Sequence, residues 1–113
     1  GYLETQQNPL QAVQRLVAKL APGGYLFGAG ACILKPSNIW EKRHLLHFTP
    51  LGFGLLFQRA GLEVVEFRSW HSSEYVKWLI ANDSPPTAAQ MGAALHQSTG
   101  VQPVVTWVLG RKK

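Results

Sequence analysis

Apolar residues recur at helical spacing in two stretches, and each time a β-rich run follows almost at once. Leu10, Val13, Leu16, Val17 and Leu20 trace one face of a helix over about 9–20. Asn8 and Pro9 open it, the first a side chain that accepts from free amides, the second a residue with no amide to leave unpaired. Pro22, Gly23 and Gly24 end it. The same grammar returns over about 50–60, where Thr49 and Pro50 mark the start, Phe53, Leu56, Phe57 and Ala60 share a face, and Gly61 supplies a left-handed stop. Phe48 and Phe53 have the spacing of a hydrophobic staple across that helix start. Runs rich in β-branched and aromatic residues then predict strands at about 25–34 and 63–70.

Two consecutive helix-turn-strand units point to an α/β sandwich on a mostly parallel sheet with right-handed crossovers. Beyond Trp70, Ser72 or Ser73 caps a helix over about 73–81, with Tyr75, Val76, Leu79 and Ile80 at helical spacing. Thr87 and Gln90 form a capping box that opens a helix over about 88–97, with Met91, Ala94 and Leu95 inward. A last strand is predicted at about 103–109. Pro103 cannot donate to a ladder, so it belongs at the strand's start or on an exposed side, and Arg111 to Lys113 read as a frayed basic tail.

With 113 residues the chain holds one domain, 1–113, and 46% hydrophobic against 15% charged residues is a globular balance. No run approaches the roughly 18 apolar residues of a membrane span, so a soluble, cytoplasmic protein is expected. The single Cys32 allows no internal disulfide, which fits a reducing compartment, and it reads as a strand thiol rather than a nucleophile. Net charge is +5, yet the basic residues are scattered apart from Lys42-Arg43 and the last three positions. Nucleic acid is therefore not the indicated partner, and neither is a membrane.

The most chemically loaded stretch is the loop Lys35 to Phe48, which carries Trp40, His44 and His47 at the carboxyl end of the first strand. Open α/β sheets bind ligands at that end. His44 and His47 are candidate proton acceptors, while Trp40 and Phe48 are candidate walls of an apolar substrate site. No metal is expected, because two His three residues apart with only Glu41 nearby match zinc spacing poorly. Gly28 to Ala31 make an unusually small-sided strand centre, which admits either a closely packed helix or a ligand.

Asn8 to Gly28, then His44 to Pro50, then Leu55 to Trp70 resemble the C-terminal half of class I S-adenosylmethionine-dependent methyltransferases of the Rossmann-like type 11/23 kind. Leu20, Pro22, Gly23 and Gly24 match that family's turn before its fifth strand. Phe48, Thr49, Pro50, Phe53, Leu56, Ala60, Gly61 and Leu62 match the Thr-Pro helix and the Ala-Gly turn before its sixth. The resemblance implies a partial Rossmann-like fold, a three-stranded mixed sheet whose last strand runs antiparallel between the other two, and an insertion of two helices at about 72–98. It also implies methyl transfer from S-adenosylmethionine to an unidentified small-molecule acceptor. Leu3 and Glu4 match the family's cofactor-side loop after the fourth strand, with Thr5 where a His often stands. The glycine-rich cofactor loop would lie before Gly1, so most of the cofactor site is expected outside this chain, and the chain alone is expected to be inactive. Its expected partner is then an N-terminal half, or a second copy bound through the exposed edge of strand 25–34. The alternative is a non-catalytic α/β interaction or oligomerisation module derived from the same fold.

Overall fold

The four helix starts expected from the sequence are capped by side chains of the predicted residues. In the computed structural model, which describes residues 2–32, 46–82, 86–101 and 103–113, Asn8 Oδ1 accepts from the Gln11 amide at 3.0 Å and opens α1, Pro9–Ala18. Thr49 Oγ1 accepts from Gly52 at 3.0 Å and opens α2, Pro50–Arg59. Ser72 does the same for Tyr75 at the start of α3, Ser73–Ala81. Thr87 and Gln90 exchange both bonds of the capping box at α4, Ala88–Met91. The last is shorter than the 88–97 expected, since the chain tightens into a 3₁₀ turn over Gly92–His96. Gly92 has φ +57°, which a regular helix does not admit.

The three strands are β1, Tyr25–Ala31, β2, Leu62–His71, and β3, Pro103–Lys112. They form one sheet in the order β1-β3-β2. β3 pairs antiparallel with both neighbours, so β1 and β2 point the same way while every ladder between described strands is antiparallel. The reversed strand between two codirectional ones is the arrangement that the resemblance implied. The mostly parallel sheet inferred from the repeated helix-strand unit is not what forms, because the third strand separates the two that would have been parallel neighbours.

Phe53 and Phe57 of α2 are fully buried with Val13 and Val17 of α1, Leu62 of β2 and Val108 of β3. The predicted staple is present, with Phe48 and Phe53 ring centroids 5.0 Å apart. A Cβ on Gly28 would stand 2.5 Å from Phe57 Cζ, and one on Gly30 3.0 Å from Phe53 Cε1. The small centre of β1 is thus filled by the aromatic side chains of α2, which decides between helix packing and ligand lining in favour of the helix. A Cβ on Gly110 of β3 would meet Leu62 at 2.9 Å and Phe57 at 3.3 Å, so the Phe57 ring rests over two strands that both lack side chains there.

β3 runs three residues past its predicted end. Lys112 is no frayed tail: its Nζ donates to the carbonyls of Val17 at 2.9 Å and Leu20 at 2.8 Å. Both carbonyls lie at the C-terminal end of α1, where Val17 O also accepts from the Leu20 amide at 3.0 Å, and an ammonium there suits the helix dipole. The insertion helices are less buried than their patterns suggest. Leu79 is 4% exposed, but Ile80 is 75% and Leu95 40% exposed.

Candidate functional site

The carboxyl end of β1 is where backbone from three parts of the chain converges. Ala31 donates its amide to Glu4 Oε2 at 2.9 Å and accepts at its carbonyl from the Phe48 amide at 3.0 Å. The Leu46 amide donates to the Glu4 carbonyl at 3.1 Å. Residues 46–48 therefore form a short strap tied on both sides of His47. That residue is exposed on the rim. Phe48, beside it, is half-buried against Phe53 and anchors the strap to the core.

Of the six residues singled out from the sequence, the structure brings four to this corner. His47 and Phe48 lie on the strap, and Leu3 and Glu4 lie on the 3₁₀ turn Leu3–Thr5 that abuts it. His44 and Trp40 lie outside the described residues. Leu3 is buried in the core, and Glu4 is 1% exposed. Neither offers its side chain to a ligand from solvent; Leu3 packs, and the Glu4 carboxylate holds the last amide of β1. Among the described residues no three His, Cys, Asp or Glu side chains come together as metal ligands. The role of Glu4 as a clamp on the strand end was not legible from the sequence. A carboxylate in a polar N-terminal run gives no sign of burial until the strand it serves is placed 27 residues away.

Cys32 follows directly. Its amide completes the β1–β3 ladder by donating to Val104 O at 2.9 Å. Burial, and secondarily the negative charge of Glu4, push its thiol up from the ordinary 9.0 to about 11. The thiolate is the reactive form, so at neutral pH the folded chain carries about 100-fold less of it than an unperturbed thiol does. Alkylation at pH 7 is accordingly expected to be about 100-fold slower in the native than in the urea-unfolded chain, with the native rate climbing until pH passes about 11. Equal native and unfolded rates would contradict the thiol's placement.

No protein-family model matches the chain, and no curated protein does. Its fold is similar to that of a crystal structure from Thermotoga maritima described as a SAM-dependent methyltransferase, possible histamine N-methyltransferase, with a TM-score of 0.51 and 16% identity. The match covers 95% of this chain and 50% of that one, so the chain spans half the length of the structure it matches. At that identity the likeness is one of fold.

Proposed function

We propose that the chain is the substrate-side part of an S-adenosylmethionine-dependent methyltransferase whose cofactor is held mainly by residues outside it. The observation that carries this reading is the sheet: two codirectional strands, each preceded by a capped helix, with a reversed strand between them, in a fold similar to a SAM-dependent methyltransferase. Leu3 and Glu4 are engaged in core packing and in the clamp on Ala31. What this part would contribute is the rim. The strap holds His47 at the carboxyl end of β1, where its imidazole would take the acceptor's proton; His44 and Trp40, from the same loop of the sequence, are the further candidates for the acceptor side.

The 113-residue chain is expected to give no heat when titrated with S-adenosylmethionine at millimolar concentration in a calorimeter. A longer polypeptide that contains it and supplies a glycine-rich strand-loop-helix upstream is expected to bind. Absence of binding by that longer polypeptide would sink the methyltransferase reading in favour of the non-catalytic module.

A further inference from the structure

The carboxyl end of β2 carries a side-chain pair that methyl transfer leaves unused. Ser69 and His71 stand two residues apart, and Ser69 Oγ lies 2.8 Å from His71 Nε2. The other ring nitrogen, Nδ1, lies 3.3 Å from the carbonyl oxygen of Gly100. A carbonyl can only accept, so in the neutral ring Nδ1 carries the hydrogen and Nε2 carries the lone pair. Nε2 therefore accepts from the Ser69 hydroxyl. Hydroxyl, base and orienting acceptor follow one another in one chain, the arrangement by which a base activates a serine nucleophile.

The base is held on its backbone as well as on its ring. The His71 amide donates to Ser98 Oγ at 3.0 Å, and its carbonyl accepts from the Thr99 amide at 2.7 Å. Trp70 Nε1 donates to the Gln97 carbonyl at 2.7 Å, so the segment that supplies Gly100 is fastened to β2 at three successive residues. A backbone donor stands beside the hydroxyl. Val104 accepts from Cys32, and Lys112 exchanges bonds with Gly23 and Gly24, so the even-numbered residues of β3 face β1. Ser69 pairs with Thr106, one of that set, and its own amide accordingly points away from β3, with no partner among the described residues. The amide of the nucleophile itself is one of the donors that stabilise the oxyanion of acyl transfer.

An apolar groove adjoins the pair. Phe67 packs toward α2, where a Cβ on Gly54 would stand 3.9 Å from its ring, and Ser69 follows on the same face of the strand. Phe67, Leu51 and Leu55 help line a groove of about 310 Å³ between α2 and β2. Same-face neighbours on a strand are roughly 7 Å apart, so a chain lying on Phe67 brings its terminal carbonyl within reach of Ser69.

We infer that Ser69 and His71 form a further catalytic site, one that hydrolyses esters of apolar carboxylic acids. Ser69 Oγ bonds to the ester carbonyl carbon as its proton passes to His71 Nε2. The bond from that carbon to the alcohol oxygen breaks, and the alcohol leaves with the proton. Water then bonds to the acyl carbon and gives a proton to Nε2. The bond to Ser69 Oγ breaks, the proton returns to Oγ, and the carboxylic acid departs. The acyl chain lies along Phe67, Leu51 and Leu55.

The site needs no S-adenosylmethionine, so it stands or falls apart from methyl transfer. An alkyl fluorophosphonate is expected to label Ser69 of the native 113-residue chain, read by peptide mass mapping. Ser72 and Ser73 serve as internal controls and are expected to stay unlabelled, since Ser72 Oγ is buried as the cap of α3 and Ser73 Oγ has the Thr99 hydroxyl as its partner. p-Nitrophenyl octanoate is expected to be hydrolysed by the native chain and not by Ser69→Ala. His71→Asn keeps an amide N–H near the place of Nδ1 but has no counterpart of Nε2, so hydrolysis is expected to fall about 100-fold with the circular dichroism spectrum unchanged. Leu55→Ser is expected to slow the octanoate about tenfold and leave p-nitrophenyl acetate unaffected. Should His71→Asn fail to fold, labelling of the unaltered chain decides alone, because faster reaction of Ser69 in the native than in the urea-unfolded chain requires the folded pair. No label on Ser69, equal labelling in urea, or hydrolysis that Ser69→Ala leaves unchanged would overturn the inference.

Discussion

Phe57→Ala is expected to cost about 3–5 kcal/mol, which is comparable with the whole stability of a small domain, and to leave the chain largely unfolded at room temperature. The ring is 1% exposed and lies across Gly28 of β1 and Gly110 of β3, so its removal empties the contact that joins α2 to two strands at once. The same contact works in reverse. Gly28→Ala builds a Cβ 2.5 Å from Phe57 Cζ, nearer than real Cβ atoms approach, and the ring cannot retreat while Leu62 and Val108 are packed around it. About 1–3 kcal/mol of destabilisation is expected from that overpacking. Because the clash belongs to the pair, Gly28→Ala combined with Phe57→Leu is expected to lose about 1 kcal/mol less than the sum of the two single changes. Urea unfolding followed by circular dichroism measures all three. Strict additivity would show that the ring and the glycine are not in contact.

Glu4→Ala is the second large effect expected. The carboxylate sits at the end of β1 at 1% exposure, and its loss leaves the half-buried Ala31 amide without its acceptor, at a cost of roughly 1–3 kcal/mol. Glu4→Gln keeps a carbonyl oxygen in reach of Ala31 and should lose well under half of that. The two variants also separate charge from geometry. Removing the negative charge relieves one of the two causes that push the Cys32 thiol up, so Glu4→Gln is expected to speed Cys32 alkylation at pH 7 while the fold is retained. If Glu4→Gln were as destabilising as Glu4→Ala, or left the alkylation rate of Cys32 unchanged, the clamp would not be as described.

The candidate site was legible in part. Histidine and aromatic residues after a predicted strand indicated which end of the sheet to watch, and His47 does stand on that rim with Phe48 beneath it. Phe48 was readable twice over, as a staple to Phe53 and as a candidate substrate wall, and spacing alone could not choose. Leu3 and Glu4 were drawn into the site by resemblance. Their burial was invisible beforehand because a 3₁₀ turn of three residues has no period from which an inward face can be read.

What the chain's order of residues determined by itself is everything that acts over three or four positions. Asn8, Thr49, Ser72 and Thr87 cap the helices they precede, Gly61 ends α2 at φ +101°, and Phe53 and Phe57 share the buried face, because caps and helical faces are made by neighbours in sequence. Only the tertiary structure decided that β3 lies between β1 and β2, that Lys112 closes a helix 95 residues earlier at Val17, and that the glycines of β1 make room for aromatic rings rather than for a ligand. Those outcomes turn on which distant surfaces fill one another's space and satisfy one another's backbone groups, and no local spacing carries that information.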